Sequence, residues 1–587
     1  MSWGYPRPQM VRLLPDSAGF NFFNLNGKWQ YALHAPGAKL PFGKTLKDSI
    51  IVPFPPESFL SGLQTMPNFH MFYRRMFQVG QPWDHASHSK VPTNIITSPT
   101  QELLLNFGAV DWQARVFVDQ QHVCSHRGGY SRFTCAISSA LSNKSEHELI
   151  LDVHDPTEFG QDNLFGKQRS DAAENLTAAV LVTDPQRNMT VGSAVGTVGT
   201  PLTINITNPR LWSTSDPFLY DVQVALKNTS QPDLTSVQED PLALSSVLSA
   251  PAVDTVSSYA GVRTVSKCLD RRGLTRFCLN GQPTFLNGLL DQGMWPDGLY
   301  TAPADEAHAF DIGLAQQAGF NMLRKHVKVE PDVWFAYTDK MGTLVIQDIP
   351  SPVGSYFDLA GPTEQCCYPV AWNSSQGYNN VVTPAMRANY LQEVKDIVEQ
   401  HMSSPSLVAY ILFNEGWGQP LDTAQITREV MALDRTRLFN SASGWNNSDQ
   451  YLAGDFLDLH DYSPLGPTAL AVGGTNLSQL INVIGEWGSV GFIIPERPIY
   501  SKNVYIPNYA LLGFDFTTWL QRYEVMLATI APQLTDPKYA LSGLVYTELT
   551  DAAFDITGLC TYDRIVIKIS VPVVAQLNAR MYELFAA

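Results

Sequence analysis

Two glutamates stand in matching surroundings: Glu415 in Phe413-Asn-Glu-Gly-Trp-Gly418 and Glu486 in Ile484-Gly-Glu-Trp-Gly488, each after an apolar run. A carboxylate between glycine and tryptophan at the end of such a run sits in a partly dry, aromatic setting, as in a ligand pocket. Taken alone, either could equally be a helix-capping or surface charge. As a pair about 5–5.5 Å apart they could carry out a double displacement at an anomeric carbon, one attacking and the other protonating the leaving oxygen and then activating water. In that division Glu415 is the acid/base, its carboxyl pushed up by the charge of Glu486 until Glu486 becomes glycosylated. Asn414 could donate to a sugar 2-hydroxyl or cap the following helix, and Tyr462 could hydrogen-bond Glu486 or merely pack. His460 and Trp487, flanking these groups, are counted as facing the substrate.

The elements around the pair decide whether the two groups can meet. From about residue 266, strand-like apolar runs alternate with amphipathic segments of helical length, the pattern of βα units. The runs fall at 284–286, 322–324, 344–347, 408–413, 438–441, 456–460, 483–485 and 543–546. Helices are expected at 304–318, 331–340, 384–401, 422–433, 516–531 and 571–585, and the fifth and sixth crossovers lack a helical pattern. Eight strands close a (β/α)8 TIM barrel, whose working side chains lie at the C-terminal strand ends. Glu415 after strand four and Glu486 on strand seven would then face each other across the mouth. The fold expected is multidomain: a jelly-roll β-sandwich over 1–158, an immunoglobulin-like β-sandwich over 159–265 and a catalytic barrel over 266–587.

Three sets of segments carry a resemblance. In the first domain they are Phe72-Tyr-Arg-Arg75, Phe107-Gly-Ala-Val-Asp-Trp112 and His126-Arg-Gly-Gly-Tyr130; in the second, Leu211-Trp-Ser213, Pro217-Phe-Leu-Tyr-Asp221 and Gly261-Val-Arg263. In the barrel they are Leu279-Asn-Gly281, Gly319-Phe-Asn-Met-Leu-Arg-Lys-His326, Phe413-Asn-Glu-Gly-Trp417, Gly485-Glu-Trp487 and Tyr546-Thr-Glu-Leu-Thr-Asp551. Together they resemble glycoside hydrolase family 2, the clan A barrel enzymes that include β-galactosidases, β-glucuronidases and β-mannosidases. The resemblance implies a retaining, exo-acting β-glycosidase that removes a terminal non-reducing sugar. β-Galactosidase-like specificity comes first, with β-galactofuranosidase, arabinosidase, β-mannosidase or β-glucuronidase action as alternatives. It also implies Glu415 as acid/base, Glu486 as nucleophile, and glycone contacts from Asn414, Arg324, Tyr462 and Trp445.

The chain departs from the family in places. Many members have a histidine in the loop after strand one, whereas this chain has Asp291-Gln292, so the outer hydroxyls should be read differently, with Asp291 facing the substrate. No Asn-x-Lys motif to hold a glucuronate carboxylate follows Glu486, which argues against β-glucuronidase. The Gly-Ile-Trp stretch expected between Gly166 and Leu211 is missing, so the second domain should be shortened or rebuilt. The loop over 348–383 carries Tyr356, Phe357, Tyr368, Trp372 and Tyr378, as a lid or an ordinary packed surface would. A transglycosidase shares all these residues, while a non-catalytic carbohydrate-binding protein would ordinarily have lost one of the carboxylates.

Bulk properties remove other classes. A formal charge of -16 with no basic run disfavours nucleic acid, and apolar runs such as 407–413 fall far short of the roughly 20 residues that span a bilayer. No zinc-spaced ligand set or phosphate-binding glycine loop is visible, so neither metal nor cofactor is expected. The expected partner is a carbohydrate, and a homo-oligomer is compatible with the sequence. Seven cysteines, two of them adjacent at Cys366-Cys367, do not suggest a disulfide framework. The opening Met1-Ser-Trp-Gly-Tyr-Pro lacks a basic segment followed by an apolar one, so a cytoplasmic location is expected. Sequons at Asn143, Asn175, Asn188, Asn205, Asn228, Asn373, Asn446 and Asn476 would matter only in a secreted form.

Overall fold

The computed structural model describes residues 25–63, 70–79, 103–127, 132–155, 177–197, 202–227, 254–350, 384–444, 453–492 and 515–587, less Ser142, Asn143, Ser145, Trp417, Leu421 and the pair 553–554, with short pieces elsewhere. The aromatic loop over 351–383 lies outside them, and so does Trp445. Three bodies follow one another along the chain.

The first is a β-sandwich. One sheet runs in the order Asp48–Val52, Gly27–Leu33, His70–Val79, Glu146–His154, Gln113–Val118 and Gln121–Arg127, and the pair Leu104–Phe107 with Phe133–Ala136 packs on it. Alternate residues such as Trp29, Tyr31, Val116, Val118, Leu149 and Leu151 form the shared core with Leu105 and Phe133, as the two-residue period of a strand requires.

A second, antiparallel sheet contains Asp254–Ala260, Tyr220–Lys227, Thr177–Asp184 and Met189–Thr197 in that order. It docks beneath the barrel, at the N-terminal ends of the strands. There the fully buried Trp212 donates its indole N–H to the Asp339 carbonyl at 2.7 Å, and Arg263 donates to the carbonyls of Pro405, Thr436 and Leu407. This leaves the C-terminal strand ends uncovered by the second domain.

The barrel strands are Leu286–Asp291, Met322–Lys325, Leu344–Asp348, Leu407–Ile411, Leu438–Asn440, Phe456–Asp461, Ile481–Gly488 and Leu541–Thr547. They are parallel and ordered 5-4-3-2-1-8-7-6, so the barrel is closed except between strands five and six. There the Asp455 N–H reaches the Phe439 carbonyl at 2.6 Å. Nearly every residue of these strands is buried, because the inner face packs on the barrel core and the outer face on helices. Helices Asp305–Gln317, Asp332–Met341, Pro384–His401, Thr423–Met431, Phe516–Ile530 and Val571–Ala586 agree with the sequence pattern to within one or two residues. Among the described residues no α-helix follows strands five or six.

Strand one begins later than expected. Residues 282–284 instead end a hairpin, Thr275–Leu279 with Gln282–Pro283, and the Thr284 N–H is taken by the Phe277 carbonyl at 2.8 Å. That hairpin plugs the barrel floor, with Phe277 and Leu279 in the same cluster as Leu286, Met322 and Val483. The cysteine expectation is also corrected. Cys124 is bridged to Cys135 and Cys268 to Cys278, each pair joining strands next to one another in space, while Cys560 is free and buried. Spacing alone could not reveal these bridges, because the partners meet only once the strands pair.

Candidate active site

Strand seven is irregular where it carries Glu486. Against strand six, Leu459 pairs with Ile484 but His460 pairs with Glu486, so Gly485 is an inserted residue. A bulge of this kind re-aims the side chains beside it. Glu486 turns into the mouth, and Trp487 turns outward to stack on Tyr523 with centroids 5.5 Å apart and to meet Tyr546 edge-on at 5.2 Å. Trp487 is wholly buried in that aromatic layer behind the barrel and does not face substrate, contrary to the sequence expectation. Only glycine fits at 485, since a Cβ there would lie 2.2 Å from Asp458 Oδ1.

Strand four leads into a single turn of 3-10 helix, Asn414–Gly416, in which Glu415 takes φ 48° and ψ 21°. For a residue with a Cβ this left-handed conformation costs roughly 1–2 kcal/mol. The Glu415 N–H donates to Ser443 Oγ at 3.3 Å, and Gly444 leaves room for the side chain, a Cβ there meeting His460 Nδ1 at 3.1 Å and Glu415 Cγ at 3.4 Å. Strain held by packing in this way is characteristic of sites whose side chain must point one way.

Arg324, at the end of strand two, organises the floor. It donates to both oxygens of Asp348 (3.0 Å each), to Glu486 Oε1 (3.1 Å), to the Gly485 carbonyl (2.9 Å) and to Asn414 Oδ1 (2.6 Å). Burial works against its charge, but Asp348 and Glu486 outweigh that and hold the guanidinium protonated. Arg324 is fully buried, so it cannot touch a glycone as the resemblance implied; it grips Glu486 and Asn414 instead.

The same fork fixes the Asn414 amide. A guanidinium only donates, so the Asn414 oxygen faces Arg324, with Ser443 Oγ as a second donor at 3.0 Å. Its NH2 group has no partner among the described residues and is left to donate to a ligand.

His460 links the two carboxylates. Burial depresses its imidazole to about 3, so the ring is neutral. Its Nε2 lies 3.3 Å from Arg324 Nη1, which can only donate, so the ring proton is on Nδ1 and is donated to Glu415 Oε1 at 2.9 Å. A proton on Glu415 must then sit on Oε2. Burial pushes the Glu415 carboxyl up, with His326 and Arg324 opposing; the sequence argument had assigned that pressure to Glu486. Tyr462 donates its hydroxyl to Glu486 Oε2, so Glu486 has two donors, Tyr462 and Arg324.

Oxygens of Glu415 and Glu486 and a ring nitrogen of His460 lie within 4.8 Å of one another. They do not fit a metal. The His460 nitrogens point a proton at Glu415 and a lone pair at Arg324, leaving none for a cation between the carboxylates.

Asp291 is not in the pocket either. It is buried at the end of strand one against Lys325 Nζ (2.6 Å) and the Gly293 N–H (2.8 Å), in an ion cluster that includes Lys328 and Glu330. Sequence reasoning missed Ser443, Asp348 and Asp458. Asp348 closes strand three and Ser443 follows strand five, so the strand-end rule that selected the glutamates could have found both.

Residues 123–239 match the model of Glycosyl hydrolases family 2, over the segment where the Gly-Ile-Trp stretch is missing. Over that stretch the chain is similar to that family. A β-glucuronidase of Bacteroides fragilis is 22% identical over 416 residues, 60% of this chain and 53% of that protein. The chain therefore spans about half the length of the first curated relative it matches, and 38% of a putative β-glucuronidase from Formosa agariphila. Among solved structures, a Lactobacillus rhamnosus β-glucuronidase superposes with a TM-score of 0.66 at 16% identity, covering 98% of this chain and 97% of that one. A putative β-galactosidase from Bacteroides fragilis gives 0.64 at 16% identity, covering 98% and 86%. At such identities the likeness is one of fold.

Proposed function

We propose that this chain is a glycoside hydrolase of family 2, a retaining, exo-acting β-glycosidase with Glu486 as nucleophile and Glu415 as acid/base. The observation that carries the reading is the closeness of the two carboxylates, an oxygen of each lying within 4.8 Å of the other, which suits double displacement better than an inverting site that seats a water between them. In the first step Glu486 attacks the anomeric carbon while the proton on Glu415 Oε2 passes to the departing oxygen. Asn414 Nδ2 donates to the 2-hydroxyl as positive charge develops on the ring. In the second step Glu415 takes a proton from water, whose oxygen attacks the same carbon, and Glu486 leaves as a carboxylate.

For the glycone we propose a neutral, β-galactoside-like sugar. Among the described residues, the lysines near the ends of strands one, two and eight are Lys325, Lys328 and Lys568, and each is spent on Glu330, Asp291 or Asp551. A sugar carboxylate would have to compete for them. Several relatives are β-glucuronidases by name, which supports a glucuronide instead, so both belong in the test. With a panel of aryl β-glycosides, the galactoside is expected to exceed the glucuronide in kcat/KM by about 10-fold or more, with the anomeric configuration retained by NMR. No turnover of any β-glycoside would sink the enzyme reading. Product partition between water and an added acceptor sugar separates hydrolase from transglycosidase.

The bulge makes its own prediction. Gly485→Ala forces Asp458 or the strand to move and so misplaces Glu486; kcat should fall about 100-fold with an unchanged far-UV circular dichroism spectrum.

A further inference from the structure

Asp458 has no part in the reaction above, yet it touches the backbone that presents the nucleophile. It lies on strand six and is 1% exposed. Its Oδ1 accepts the Gly485 N–H at 2.9 Å and its Oδ2 the Asn440 amide at 2.7 Å. The place a Cβ would take at 485 is filled by this carboxyl group, so strand six sets the shape of the bulge. Beside it a cavity of about 20 Å³ is lined mainly by apolar side chains such as Leu286, Met322, Ile346, Phe456 and Val483, with Arg324 and Asn440 also in its wall, so a charge on Asp458 would face largely hydrocarbon.

The charged and titratable groups around Asp458 are Arg324 on strand two, Asp348 on strand three, Glu486 on strand seven and His460 on its own strand. One guanidinium serves three carboxyl groups. Arg324 gives two bonds to Asp348 and one to Glu486, and none to Asp458. A third buried negative charge would be uncompensated.

We propose that Asp458 is a positioning residue for the nucleophile that carries a proton in the active enzyme: protonated, it braces the Gly485–Glu486 bulge, and once ionised it competes with Glu486 for Arg324. Two features agree. Burial pushes its carboxyl up to about 7, with Arg324 opposing and Glu486 adding to the rise. The Asn440 oxygen has no partner among the described residues, so turning that amide over offers an acceptor to the Asp458 proton. A carboxyl raised in this way is neutral at low pH and ionises as pH rises through about 7, so the bracing is lost on the alkaline side.

The proposal rests on the glycosidase reading, but one arm of its test needs no substrate. In pH-difference infrared spectra, wild type should show a protonated carboxyl titrating near neutrality that is missing from Asp458→Asn. In kcat profiles, wild type should lose two ionisations on the alkaline side, from Glu415 and Asp458, and Asp458→Asn only one, moving the half-maximal pH up by about one unit. Asp458→Ala, with no acceptor for Gly485, should lower kcat about 10-fold or more with KM within about threefold. A merely structural Asp458 would leave the wild-type and Asp458→Asn profiles superimposed, and that result, or protonated-carboxyl bands near neutrality of equal size in both proteins, overturns the proposal. If Asp458→Ala does not fold, the Asn variant carries the test. A wild type that turns over no glycoside counts against the glycosidase reading, while the infrared band still decides where the proton is.

Discussion

Replacing Glu486 with glutamine should lower kcat by at least about 10⁴-fold on every glycoside the wild type accepts. The amide keeps the size of the carboxylate and can still accept from Tyr462, so substrate binding should change little. What disappears is the electron pair that forms the bond to the anomeric carbon, and no other described carboxylate stands at that position. A second effect follows from Arg324. This fully buried guanidinium would keep only Asp348 as an anionic partner where it now has Asp348 and Glu486. Losing a carboxylate beside a buried charge can cost up to about 3–5 kcal/mol, so the variant should also melt at lower temperature. Steady-state kinetics and a thermal melt on the same preparation separate the two effects. Near-wild-type turnover in a folded Glu486→Gln protein would move the nucleophile elsewhere.

The contrast between Glu486 and its neighbours explains what could be read without coordinates. An apolar run ending in a carboxylate is a local signal, and eight such runs in order make a barrel, so both glutamates and seven of the eight strand positions were legible from periodicity. Trp487 was misread because adjacent strand residues face opposite sides; if Glu486 points in, Trp487 points out, and the flanking aromatic speaks to packing rather than to the pocket. Arg324 and Asp291 failed for a different reason. Their roles depend on partners distant in sequence, Asp348 for the arginine and the Lys325–Glu330 pair for the aspartate. No spacing rule encodes a partner brought in by the closing of a barrel. The same holds for the two disulfides and for Asp458, whose significance is a missing Cβ on the neighbouring strand.

Glu415→Ala should behave differently from loss of the nucleophile, because the acid/base serves two steps with different needs. For a poor leaving group the first step requires the proton on Glu415 Oε2, and kcat/KM should fall about 10²–10⁴-fold. For an activated aryl leaving group that step survives, and the glycosyl-enzyme then accumulates because no base activates water, which lowers kcat and KM together. Azide needs no base. Its nitrogen bonds to the anomeric carbon as the bond to Glu486 breaks, so added azide should restore turnover and yield a β-glycosyl azide. The alkaline limb that Glu415 contributes should vanish as well: burial raises this carboxyl, so the acid form is present at low pH and is lost as pH rises through the raised value. The structure adds a cost, since the buried His460 Nδ1–H loses its acceptor at 2.9 Å and keeps the more distant Glu486 Oε1, at 3.5 Å, in its place. Loss of that buried hydrogen bond costs up to about 1–3 kcal/mol, which Glu415→Gln, retaining an acceptor there, should largely avoid. If the Gln variant shows the same kinetic split and the same azide rescue with a higher melting temperature, the effect belongs to the missing proton and not to damage around His460.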